Sequence, residues 1–105
     1  MPVEFKSGRR KLVAHLIGEI DHHTAEAMRM DIDKHITADK PETLCLNFSK
    51  VTFMDSSGVG LVMGRYRTLS AYGGKLELCE MPDSVQRIMK LSGIGKIAAI
   101  VPKKG

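Results

Sequence analysis

The sequence predicts an α/β fold, a β-hairpin followed by βα units whose strands form a mixed, largely parallel sheet packed by helices. Three observations carry this. Short apolar runs rich in Val, Ile and Leu recur along the chain, and stretches with apolar residues every three or four positions separate them. Gly, Pro, Asp and Ser stand at the junctions. The resulting order is strand, strand, helix, strand, helix, strand, helix, strand, an alternation that implies right-handed crossovers. With 105 residues and no internal repeat, linker or low-complexity segment, one domain spanning 1–105 is expected.

Residues 3–6 (VEFK) alternate and meet the turn signal Ser7-Gly8; residues 11–17 (KLVAHLI) follow, so a hairpin opens the chain. Glu4 and Lys6 mark the first run as an edge. Nearly every position of the second is apolar, which predicts a strand covered on both faces. Asp21 is positioned to cap a helix in which Ala25, Met28, Ile32 and Ile36 share a face, and Asp39-Lys-Pro41 stops it. Residues 43–48 (TLCLNF) form the next strand. A second helix starts at Asp55 or Ser56, with Val59, Val62, Met63, Tyr66 and Leu69 inward, and ends at Gly73-Gly74. Residues 75–80 (KLELCE) read as a strand. A third helix runs from Pro82-Asp83-Ser84 to Gly93 with Val85, Ile88 and Met89 inward, and residues 97–101 (IAAIV) supply a last strand.

Composition narrows the function. Hydrophobic residues make up 43% and charged residues 27%, ordinary for a soluble globular protein. No apolar run approaches a membrane span, and MPVEFKSGRR lacks the apolar stretch of a signal peptide, so a cytoplasmic protein with no membrane partner is expected. Cys45 and Cys79 lie in apolar runs without C-x-x-C spacing and are expected to be reduced core thiols rather than a disulfide. The net charge of +4 comes from scattered residues: Arg9-Arg10-Lys11, Arg65, Arg67 and the tail Lys103-Lys104. With five aromatics and no Trp there is no stacking platform, and no nucleic-acid partner is expected.

The informative stretch is FMDSSGVGLVMGRYR at 53–67, where Asp55, Ser56 and Ser57 stand at the mouth of a helix. Ligands meet such folds at the C-terminal ends of parallel strands, and the Asp21 turn leaves the neighbouring strand toward the same side. Capping needs only one of the three residues. Gly58 and Gly60 add a helix penalty of roughly 1 kcal/mol each, and their missing side chains leave the first turn open to close approach. A serine nucleophile would need a base, and His22 or His23 beside Asp21 is the candidate; the G-x-S-x-G elbow is absent. Gly58, Gly60 and Gly64 miss the dinucleotide fingerprint by one residue, no P-loop Lys follows, and Gly60–Gly64 spacing suits close helix packing. Phosphoryl acceptance fits best. A phosphoserine carries about −1.5 to −2 charges, which a helix N-terminus tolerates and a docking partner does not. Spacing leaves Ser56 and Ser57 both open as the acceptor.

GEIDHHTAE at 18–26, FMDSSGVGLVMGRYR at 53–67, GGKLELCEM at 73–81 and LSGIGKI at 91–97 together resemble the anti-sigma factor antagonists of the STAS domain family, in its sporulation branch. The resemblance implies a regulator rather than an enzyme, a monomer when free, with no cofactor and no metal. Its unphosphorylated form would bind an anti-sigma factor that is also a serine kinase of the GHKL ATPase type, releasing the sporulation sigma factor F. Phosphorylation from ATP would switch it off, and a PP2C-type phosphatase would restore it. Carried onto this chain, the acceptor is Ser56. Asp55, Ser57, Gly58, Gly60 and the exposed positions Leu61 and Arg65 would form the kinase contact, with Asp21 as a second anchor. A STAS regulator of a stress-response sigma pathway is the alternative. The chain stops soon after Val101, so the final helix of many members is expected to be short or missing.

Overall fold

The structure, a computed structural model, describes residues 2–102; the Lys103-Lys104 pair lies outside them. Strands β1 (Val3–Ser7) and β2 (Lys11–Ile20) form the hairpin. There follow α1 (His22–Asp39), β3 (Thr43–Met54), α2 (Ser57–Ser70), β4 (Lys75–Cys79), α3 (Asp83–Leu91), a 3-10 turn at Ile94–Lys96 and β5 (Ala99–Ile100). The five strands lie in the order β1-β2-β3-β4-β5. Among the described residues only β1–β2 is antiparallel; the later pairs are parallel.

That unreversed order dictates where the helices go. Right-handed crossovers that always step in the same direction deposit every helix on one face of the sheet. Leu12, Ala14, Leu16, Leu44, Leu46, Phe48, Leu76 and Leu78 point to that face and meet Met28, Ile32 and Ile36 of α1, Leu61, Val62 and Leu69 of α2, and Val85 and Met89 of α3 in one core. The expectation that residues 11–17 are covered on both faces is therefore wrong. Buried and half-buried positions alternate along β2, and Val13, His15 and Ile17 face away from the helices. Apolar character alone did not distinguish a two-sided strand from a half-covered one.

Other departures have local causes. β2 and β3 run three and six residues beyond the expected ends, continuing past register shifts at His15/Ile17 and Gly18/Glu19. Gly18 takes φ 87° there, a backbone that only glycine adopts without strain. The last strand shrinks to Ala99–Ile100, because the chain spends Ile94–Lys96 on a 3-10 turn that buries Ile94 and Ala98. Met63, expected inward, is 38% exposed, and Leu61 is buried in its place.

The cysteines correct another expectation. Cys45 pairs in register with Glu77, so Cys79 is its diagonal neighbour on β4, with Cα atoms 6.5 Å apart, and the two are joined as a disulfide. Sequence spacing could not reveal this, because it depends on which strands adjoin. No helix is long and apolar enough to cross a membrane.

Candidate functional site

At the C-terminal end of the parallel pair, Ile20 is in register with Met54, and the Asp55 N–H donates to the Ile20 carbonyl at 3.1 Å. The Asp21 and Asp55 turns thus emerge side by side, as the sequence led us to expect.

Asp21 caps α1. Its Oδ1 accepts from the Thr24 N–H at 2.9 Å, and the Asp21 N–H donates to Thr24 Oγ1 at 2.9 Å, a reciprocal capping box. The Thr24 backbone N–H, then its hydroxyl, hold the Asp21 carboxyl below the ordinary carboxylate range.

The start of α2 is built differently. Ser56 takes the N-cap position in helical conformation, φ −63° and ψ −14°, and its side chain makes no capping bond. Asp55 does that work. Its Oδ1 accepts from the Ser57 N–H at 2.8 Å and its carbonyl accepts from the Gly58 N–H at 3.1 Å. One acid satisfies the opening amides, so the Ser56 hydroxyl is left exposed and uncommitted while Ser57 is half-buried. An oxyanion on Ser56 would not find empty N–H groups at Ser57 and Gly58, as the sequence suggested; it would share them with a neighbouring carboxylate.

The glycines divide. Gly58 is buried, and a Cβ there would overlap the Met54 side chain, so its role is close packing inside the chain rather than openness to a neighbour. Gly60 is exposed, with nothing within 4 Å of the place a Cβ would occupy. Gly64 likewise meets nothing, so the Gly60–Gly64 spacing does not mark a close helix contact.

Leu61 and Arg65, expected on the surface, are 5% and 4% exposed. Leu61 belongs to the core. Arg65 turns toward α1, where its Nε lies 2.9 Å from Asp33 Oδ1, an ion pair off the line of a hydrogen bond, and its Nη1 is buried without a partner. Burial lowers the Arg65 pKa, and the Asp33 charge works against that shift. Asp33 also meets Arg29 at 3.8 Å. The sequence offered no sign of Asp33, which lies one position from the buried Ile32 stripe. A shallow groove runs between the helices, lined by His22, Ala25, Glu26, Arg29, Ser57 and Gly60 over Leu61. Phe53, 53% exposed just before Asp55, and Met63 add apolar surface near this end.

No serine–histidine hydrogen bond occurs among the described residues: His22 and His23 are exposed and neither is tied to Ser56 or Ser57. The sheet also lacks the reversal of strand order that opens a nucleotide crevice in doubly wound folds. What the arrangement presents is an exposed Ser56 hydroxyl with no capping bond, at the edge of the groove between the helices.

Fold and site together define a small α/β domain with a five-stranded mixed sheet and an exposed serine at the start of its second helix. The STAS domain model matches residues 2–104, and the chain belongs to that family. It is 36% identical over 100 residues to the anti-sigma F factor antagonist of Paenibacillus polymyxa, covering 95% of this chain and 86% of that one. To the anti-sigma F factor antagonist of Lysinibacillus sphaericus it is 39% identical, over 83% of this chain and 74% of the relative. The anti-sigma-B factor antagonist of Bacillus subtilis (strain 168) is 26% identical, over 96% and 91%. Among solved structures, the anti-sigma factor antagonist SpoIIAA in its unphosphorylated form superposes with a TM-score of 0.81 at 36% identity, covering 95% of this chain and 88% of that one. The Bacillus cell fate determinant SpoIIAA in its phosphorylated form gives 0.73 at 35% identity, over 95% and 91%.

Proposed function

We propose that this chain is an anti-sigma factor antagonist that works as a phospho-switched docking module. Its unphosphorylated form binds an anti-sigma factor that is also a GHKL-type serine kinase, and so frees the sporulation sigma factor F. The kinase transfers the γ-phosphoryl group of ATP to the Ser56 hydroxyl, and a PP2C-type phosphatase removes it by hydrolysis. The protein is cytoplasmic, monomeric when free, and performs no catalysis of its own.

The observation that supports this most is the division of labour at α2. Asp55 caps the helix, which leaves Ser56 exposed and chemically uncommitted. The contact surface is Asp55, Ser56, Ser57 and Gly60 with Asp21 beside them; Gly58, Leu61 and Arg65 fix it from beneath. A dianion placed there adds to the Asp55 charge, and a partner packing on α2 would have to strip water from both. Like-charge burial of this kind costs several kcal/mol. Identity of 36–39% to sigma-F antagonists against 26% to a sigma-B antagonist favours the sporulation pathway over a stress response.

The test is direct. Incubated with the anti-sigma F kinase and ATP, the protein gains the mass of one phosphate, and Ser56→Ala gains none. Phosphate on the Ala variant would move the acceptor to Ser57. Release of sigma factor F, followed by its transcription activity, separates this pathway from the stress response.

A further inference from the structure

The uncovered face of the sheet carries a cluster unrelated to the α2 switch. Cys45 and Glu77 are in register on β3 and β4, and Cys79 lies two residues beyond Glu77 on the same face. Their donor atoms, two sulfurs and a carboxylate oxygen, all lie within 4.8 Å of one another. Cys45 is buried, while Glu77 and Cys79 are half-buried, so the cluster opens to solvent on one side. Lys11 Nζ reaches over from β2 to Glu77 Oε1 at 3.0 Å.

We propose that, with the disulfide reduced, Cys45, Cys79 and Glu77 bind a thiophilic divalent cation of the zinc class. Three features support this. Thiolates with one carboxylate are a donor set zinc accepts, and three protein ligands leave a fourth position for water. Parallel strands fix the spacing of all three residues, so little chain entropy is lost on binding. The Lys11 ammonium beside the cluster favours thiolate over thiol. The chemistry balances. A dithiol reductant gives the Cys45–Cys79 bond two electrons and two protons and closes into its own cyclic disulfide. Metal binding then releases those two protons to solvent as both sulfurs coordinate as thiolates.

The experiment takes the whole chain, reduces it with a dithiol, removes the reductant without air, and counts two free thiols by alkylation and intact mass. Cobalt(II) is then titrated in. Expected are a thiolate-to-cobalt charge-transfer band and the visible bands of tetrahedral cobalt, saturating at one equivalent and bleached by zinc. Cys79→Ser should abolish the charge-transfer signature of paired thiolates. Glu77→Gln, which keeps both thiols, should weaken zinc binding by at least the roughly 10-fold that loss of a mere supporting residue costs, in competition with a chromophoric chelator. Failure of the two-thiol protein to bind cobalt overturns the proposal. So does a wild-type response in both variants, or a disulfide that the dithiol cannot open.

Discussion

At the residue scale, Gly58 and Gly60, about half a helical turn apart on α2, carry opposite predictions. Gly60→Ala adds a methyl to open space and removes the glycine penalty, so stability should rise by about 0.8–1.0 kcal/mol in chemical denaturation. Gly58→Ala drives a methyl into Met54 and should cost about 1–3 kcal/mol in the same assay. The sequence read both missing side chains as open space; that space is open at Gly60 and filled by Met54 at Gly58. A glycine's reason lies in what surrounds its missing side chain, which a linear pattern does not contain. Asp21 tests whether charge or capping matters. Asn caps as well as Asp, so Asp21→Asn should keep the wild-type melting temperature at neutral pH and lower affinity for the kinase. Equal affinity would leave Asp21 a cap and nothing more. Because the folded state depresses the Asp21 pKa, its charged form stabilises the fold above the unfolded carboxylate pKa. That contribution disappears as pH falls through the depressed folded value. Wild-type melting should therefore show an acid-side loss that Asp21→Asn lacks.

At the element scale, α1 and α2 are tied by the Arg65–Asp33 pair beneath the groove. Removing one member of a buried pair costs about 3–5 kcal/mol, and because Asp33 is 31% exposed and also near Arg29, the lower end applies. Urea unfolding of Arg65→Ala, Asp33→Ala and the double variant should show the two losses to be strongly non-additive. Simple addition would mean that the helices are not coupled through this pair. Helix faces were legible where apolar spacing was strict: Met28, Ile32 and Ile36, and Val85 and Met89, are buried as expected. In α2 the spacing is ambiguous, since Leu61, Val62 and Met63 are consecutive and only packing selects two of them. An arginine on the buried side breaks the rule that charge marks the surface, and its partner Asp33 sits on another helix.

At the scale of the whole molecule, element order was readable because breakers separate nearly every segment. One-sided coverage of the sheet was not, since it follows from strand order rather than composition. The cross-strand disulfide was hidden for the same reason. The consequence for function is separation: the core lies between the helices and the sheet, while Ser56 is exposed where α2 leaves the end of β3. The Ser56 side chain is exposed and gives α2 no capping bond that a modification would break. The phosphorylated chain should thus keep the circular dichroism spectrum of the unmodified one, with melting shifted by no more than a few degrees, about the effect of 1 kcal/mol or less. The most direct measurement is a calorimetric titration of the kinase, with ADP present, by unphosphorylated and Ser56-phosphorylated protein under identical conditions. The phosphorylated form should bind with affinity lower by roughly 30-fold or more, about 2 kcal/mol, although the two forms are equally folded. Equal affinities, or a weakening that appears only because the phosphorylated chain has unfolded, would contradict it.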